Sequence, residues 1–98
     1  MYYFIGIKGS GMASLATILY DLGYDVAGSD IDKYIFIEDE LRKRGIPIYS
    51  FDKNNIKDGY DVIIGNAFDD TNEEVKAAKD NPNVVTHTYY DFLGKLMD

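Results

Sequence analysis

The sequence predicts one α/β domain, with five parallel strands in the order 3-2-1-4-5 between layers of helix. Three observations lead there. Short β-prone apolar runs alternate with amphipathic stretches along the chain, the signature of βα units. The first run, residues 2–7, passes directly into a glycine-rich turn and then a helical stripe. The 98 residues suffice for one modest core and are too few for two. Right-handed crossovers between the strands then favour a parallel sheet covered on both faces.

The elements follow in order. Residues 2–7 form a continuous apolar run, as expected of a strand buried on both faces. After the turn, Met12, Leu15, Ala16, Ile18, Leu19 and Leu22 recur at helical spacing, and Gly23 stands where a C-terminal cap belongs. Residues 24–28 are the second strand. Residues 34–44 carry the stripe Phe36, Ile37, Glu40, Leu41 and Arg44, which ends at Gly45. Residues 46–51 make a third strand near an edge, because Pro47 has no N–H to give a ladder. Residues 54–59 are a polar turn, and 61–65 a fourth strand centred on Val62, Ile63 and Ile64. Residues 72–79 form a helix capped by Thr71. Asn81, Pro82 and Asn83 break the chain before a fifth strand at 84–86 and a last helix at 90–97.

Composition narrows the function. Apolar residues make up 46% of the chain, so a packed domain is expected over disorder. No apolar run approaches the ~20 residues that cross a bilayer, and the N-terminus lacks the basic flank of a signal peptide. No membrane partner is expected, and nothing points away from the cytoplasm. There is no cysteine, which excludes disulfides and thiolate metal sites. A net charge of −7 argues against a nucleic-acid partner. An anionic small ligand is still compatible with it, because backbone N–H groups and a helix dipole do not enter a charge count.

Three segments would meet at the carboxyl ends of the central strands, where the strand order reverses and ligands bind. The first is Gly6, Ile7, Lys8, Gly9, Ser10, Gly11 and Met12, a Rossmann-like strand–turn–helix context. Glycines there let backbone approach a pyrophosphate, and the opening helix offers unpaired N–H groups. Gly6 and Gly11 fit the ends of a G-x-G-x-x-G pattern, but Lys8 occupies its middle glycine. That side chain would either obstruct a dinucleotide or bring an ammonium near the phosphates.

The second segment is Gly28, Ser29 and Asp30. Asp30 lies 19 residues after Gly11, where an acidic residue accepts hydrogen bonds from ribose hydroxyls in Rossmann domains, or else simply caps the next segment. Asp32 is a weaker candidate and is expected to be solvated. The third segment is Gly65, Asn66, Ala67 and Phe68, where small residues leave room and Asn66 can donate and accept, or merely form an Asx turn.

Other features are discounted. His87 is the only histidine, has no second ligand at metal spacing, and is expected at the surface or half-buried. Asp69, Asp70, Glu73 and Glu74 read as a solvated helix start that suits the macrodipole. No nucleophile–base set can be assembled and no G-x-x-x-x-G-K-[ST] loop is present, so neither catalytic nor metal-binding residues are assigned. Two alternatives to a phosphate-bearing sugar nucleotide stay open on the residues alone. One is an NAD-type dinucleotide domain of an oxidoreductase or sensor; the other is a scaffold without a ligand.

On the segments 4–12, 22–26 and 28–30, continued through 52–56, 65–68 and 90–94, the chain resembles the N-terminal domain of the Mur ligase family. The resemblance covers essentially the whole sequence. The Firmicute branch is similar to this chain in carrying lysine at Lys8, which weighs for a ligase and against NAD. The resemblance implies a three-domain enzyme whose N-terminal domain, residues 1–98 here, binds UDP-N-acetylmuramate. It implies ATP and magnesium in a central domain, and an acyl phosphate that is attacked by the amine of L-alanine or, in a related ligase, of a recycled peptide. It further implies that Gly9, Ser10, Gly11 and Met12 cradle the diphosphate, with Gly6 and Lys8 among the residues that bind the sugar nucleotide. Ser29 and Asp30 would approach the uridine, and Asn66 and Ala67 would line the opposite wall. The remaining domains of the ligase would be this domain's partners, and alone it would bind the sugar nucleotide weakly and catalyse nothing.

Overall fold

A computed structural model describes residues 1–97. The strands are β1 (Tyr2–Ile5), β2 (Val26–Ser29), β3 (Ile48–Tyr49), β4 (Asp61–Ile64) and β5 (Val85–Thr88). The helices are α1 (Ser10–Asp21), α2 (Glu38–Lys43), α3 (Glu73–Asp80) and α4 (Tyr89–Met97). One sheet runs β3-β2-β1-β4-β5 with every pairing parallel. This is the expected order, and β1 and β4 lie side by side at the reversal point.

Register and side-chain alternation divide the interior into two cores. Phe4 stands opposite Gly28 and Ile63, and with Leu15, Ala16 and Leu19 of α1, Leu41 of α2 and Phe92 of α4 it fills one face. Tyr3, Ile5 and Val62 fill the other, against Val75 and Ala78 of α3 and Ile56 of the β3–β4 crossover. Each large apolar side chain removed from water in these layers contributes about 1.5–3 kcal/mol. Among the described residues, no helix is long and apolar enough to cross a membrane.

Several boundaries shift, each for a local reason. β1 stops at Ile5, two residues early, because Gly6 turns to φ 89° and the amides of Gly6 and Ile7 both reach the Ser29 carbonyl, at 2.9 and 3.1 Å. α1 ends as expected on Gly23, at φ 97°. Its amide bonds Tyr20 O and the Tyr24 amide bonds Leu19 O, the double closure of a Schellman motif. β3 shrinks to two residues, although the Pro47 carbonyl still accepts from the Gly28 amide at 3.1 Å. The helix expected over 34–44 is confined to Glu38–Lys43, since Phe36 is 78% exposed and does not extend the apolar stripe.

Two sequence expectations on α3 are corrected. Its cap is Asn72, whose side chain accepts from the amides of Glu74 and Val75, while the Thr71 hydroxyl bonds Asp69. Asp69, Asp70 and Glu73 are exposed as expected, but Glu74 is fully buried. Its carboxylate accepts from the Tyr3 phenol, the Ser29 hydroxyl, the Asp52 amide and the Asn55 side chain. Four donors stand in for a counter-ion there. His87 is also buried, with Nε2 3.0 Å from Asp61 Oδ1 and Nδ1 3.3 Å from Lys95 Nζ.

Candidate functional site

The turn from β1 into α1 is built around its glycines. At Gly6 a side chain would meet both a positive φ and the ring of Phe68, 2.5 Å from where Cβ would stand. The Gly9 amide bonds Gly6 O at 3.0 Å and closes the turn, and Gly9 O accepts from Ala13 as the first helical bond, at 2.7 Å. No side chain caps α1, and its first turn holds no acidic residue. The amides of Ser10, Gly11 and Met12 therefore have no acceptor among the described residues. They point outward at the positive end of a 12-residue helix, an arrangement that attracts an anion.

Two openings flank this turn at the carboxyl ends of β1 and β4. The larger is a cleft of about 400 Å³ lined by Gly6, Lys8, Gly9, Met12, Asp30, Ile31, Ile35, Gly65, Asn66, Ala67 and Phe68. The smaller, about 160 Å³, is lined by Gly9, Ser10, Gly11, Met12, Asn66, Tyr89 and Tyr90. The three segments singled out in the sequence thus converge, and of the ten residues that the family resemblance places around the ligand, nine line one opening or the other. Gly11 lies under Tyr89, whose hydroxyl stands 2.6 Å from where a Gly11 Cβ would be.

Ser29 is the exception. It is fully buried and shares the face of Ile5, where its hydroxyl is engaged by Glu74 on the α3 side, so its side chain lines neither opening. Lys8 also departs from the notion of an ammonium beside phosphates. Its Nζ lies 2.9 Å from each of Ile31 O, Lys33 O and Glu38 Oε2. These contacts use all three ammonium donors, and both charged side chains are only 4% exposed. The Lys8 hydrogen bond is the main force that holds the Glu38 carboxyl below the usual carboxylate range.

Asp30 takes the capping role that its position suggested and also faces the cleft. Oδ2 accepts from the Lys8 amide at 2.8 Å and Oδ1 from the Ile31 amide at 2.7 Å, so it caps the following segment while still lining the cleft. Ile31, Ile35, Gly65, Phe68, Tyr89 and Tyr90 complete the walls. Phe68 and Gly65 belong to a segment that the sequence marks. Ile31 stands just before, and Ile35 within, the stretch read as a helix over 34–44, and Tyr89 and Tyr90 look like two more of nine scattered tyrosines. Among the described residues no group of three or more histidine or carboxylate side chains could hold a metal ion.

Fold and site together define a doubly wound α/β domain that presents an anion-receptive glycine turn at its switch point. The chain belongs to the Mur ligase family: the model described as "Mur ligase family, catalytic domain" matches residues 1–98. Among solved structures, the UDP-N-acetylmuramate-alanine ligase of Thermotoga maritima superposes with a TM-score of 0.85 at 30% identity, over 98% of this chain and 22% of that one. A UDP-N-acetylmuramate:L-alanyl-gamma-D-glutamyl-meso-diaminopimelate ligase from Neisseria meningitides follows at 0.81 and 28%, over 96% of this chain and 30% of that one. The chain thus spans between about a fifth and a third of the length of these two proteins.

Proposed function

We propose that this chain is the UDP-N-acetylmuramate-binding N-terminal domain of a ligase that adds L-alanine to that sugar nucleotide in peptidoglycan synthesis. The observation that carries the reading is the set of three unclaimed amides, at Ser10, Gly11 and Met12, where two openings meet. A diphosphate on those amides would send its nucleoside into the larger cleft beside Asp30, Ile31 and Ile35. Its sugar would lie towards Asn66, Tyr89 and Tyr90 in the smaller opening. Asp30 keeps lone pairs on both oxygens for ribose hydroxyls, and Asn66 and Ala67 form the facing wall.

The names of both solved neighbours contain UDP-N-acetylmuramate, and this common element supports that ligand. Alanine rather than a peptide as the incoming amine rests on the sequence resemblance. ATP and magnesium are proposed to act in other domains of such a ligase, and no chemical step is assigned to residues of this chain.

Titration of the protein with UDP-N-acetylmuramate and, separately, with NADH tests the reading. The sugar nucleotide should perturb the amide resonances of Gly9, Ser10, Gly11 and Met12, and NADH should not. Gly11→Val should abolish that binding while the circular dichroism stays near native, because its side chain would stand over the amides and push the Tyr89 ring aside. Affinity that survives this substitution, or perturbation by NADH instead, overturns the assignment.

A further inference from the structure

Lys8 joins the glycine turn to the segment that follows β2 through four contacts. Its amide donates to Asp30 Oδ2 at 2.8 Å, and its ammonium binds Ile31 O, Lys33 O and Glu38 Oε2 at 2.9 Å each. The segment from Ile31 to Ile37 contains no strand and no helix, and Ile31, Tyr34 and Phe36 are exposed. Towards α2 it is held by turn bonds from the amides of Glu38, Asp39 and Glu40 to the carbonyls of Ile35, Phe36 and Ile37, and by the Tyr34 hydroxyl on Asp39; other ties to the body are few. Ser50 Oγ donates to Asp32 at 2.5 Å, and Ile37 packs on the core beside α1. Yet this segment supplies Ile31 and Ile35, an apolar wall of the larger cleft across from Phe68.

Without Lys8, two carbonyls would lose their donor and the buried Glu38 carboxylate would keep only the longer Arg42 contact at 3.4 Å, and the wall would have to order itself when a ligand arrives. Such ordering subtracts from affinity. We propose that Lys8 is a positioning residue: it makes no phosphate contact, and it holds the 31–35 wall in place for the nucleoside end of the ligand. The proposal rests on the sugar-nucleotide reading above. It separates two sources of affinity, with the α1 amides serving the phosphates and Lys8 serving the base and ribose through the wall.

The test compares ligands that share phosphates and differ in the nucleoside. Wild-type protein and Lys8→Met are titrated with UDP-N-acetylmuramate, UDP and inorganic pyrophosphate, followed by amide resonances. The variant should bind both uridine compounds about tenfold or more weakly, leave the pyrophosphate affinity within about twofold, and shift or broaden the amides of residues 31–35. Lys8→Arg should recover part of the loss if the charge still reaches Glu38.

Lys8→Met removes the buried partner of Glu38 and leaves its carboxylate only the half-exposed Arg42 guanidinium at 3.4 Å. If it does not fold, Lys8→Met with Glu38→Met removes both charges and carries the same comparison. Equal weakening for all three ligands would mean a direct phosphate contact and would overturn the proposal. So would unchanged affinity for all three. A merely structural lysine would lower the unfolding midpoint without splitting the ligands. Failure of the wild-type protein to bind either uridine compound would instead sink the reading of function, and the positioning role with it.

Discussion

The Tyr3 phenol of β1 donates to a Glu74 carboxylate oxygen of α3 at 2.9 Å, and both side chains are almost completely buried. The same carboxylate holds Ser29 of β2, and through Asp52 and Asn55 the crossover that leads to β4. One acidic side chain of α3 therefore ties together β1, β2 and the crossover on the face of the sheet opposite α1.

Replacing Glu74 should show how much that tie contributes. Glu74→Ala leaves the buried Tyr3 and Ser29 hydroxyls without this acceptor, whereas Asp52 is exposed and the Asn55 side chain keeps Ser50 O at 3.0 Å; each stranded buried group costs about 1–3 kcal/mol before relaxation. We expect a loss of about 3 kcal/mol in urea unfolding, a large share of the ~5–15 kcal/mol available to a small domain. Glu74→Gln keeps one acceptor oxygen and should fall between. A change under ~0.5 kcal/mol for the alanine variant would show that the network contributes little.

The same pair predicts alkaline lability. Burial above all, with the Glu74 charge adding to it, pushes the Tyr3 phenol well above its ordinary value. The folded state thus keeps a proton that the unfolded chain releases above pH ~10. The stabilisation is complete below that pH and is lost as pH rises toward the folded-state value, at up to about 1.4 kcal/mol per pH unit. Urea midpoints should therefore drop steeply above pH ~10. Tyr3→Phe should start lower, having lost the hydrogen bond, but decline with a shallower slope. Parallel slopes in the two proteins would assign the lability elsewhere.

Much of this was legible in the sequence because it depends on short-range chemistry. The apolar runs at Phe4 and Ile5 and at Val62 and Ile63, the cap at Gly23 and the turn at Gly6 and Gly9 are each determined by neighbours a few positions away. Strand order followed from connection rules. What escaped were side chains whose partners lie far along the chain. Glu74 reads as solvated because its acceptor role needs Tyr3, 71 positions earlier. Lys8 reads as a free cation because Glu38 becomes visible as its partner only when α2 is in place. Ser29 sits next to a ligand-facing residue in sequence, but strand alternation turns it to the opposite face.

The glycine turn makes a separable prediction. Gly6 combines φ 89° with the Phe68 ring 2.5 Å from any Cβ. Gly6→Ala should therefore incur about 1–3 kcal/mol from conformation alone, plus the displacement of an aromatic side chain that also packs on Phe51 at 5.3 Å between centroids. A double-mutant cycle with Phe68→Ala divides the two effects, since the truncation relieves the clash and leaves the backbone strain. A coupling energy near zero would mean that Phe68 gives way freely and that only the dihedral angle matters.

Asp30 offers the sharpest discrimination between a cap and a ligand contact. Both oxygens already accept backbone amides, from Lys8 at 2.8 Å and Ile31 at 2.7 Å, so asparagine is no conservative replacement: its NH2 would face one of those N–H groups, donor against donor. Asp30→Asn should lose about 1–3 kcal/mol of stability, nearly as much as Asp30→Ala, and should weaken UDP-N-acetylmuramate binding because the cleft wall after β2 loosens. If Asp30 served only the ribose, both variants would melt like the wild type and affinity alone would fall. If it served only as a cap, the asparagine protein would bind normally once held well below its melting temperature. The geometry at Lys8 and Ile31 predicts that thermal denaturation and calorimetric titration of the two variants will show both losses together.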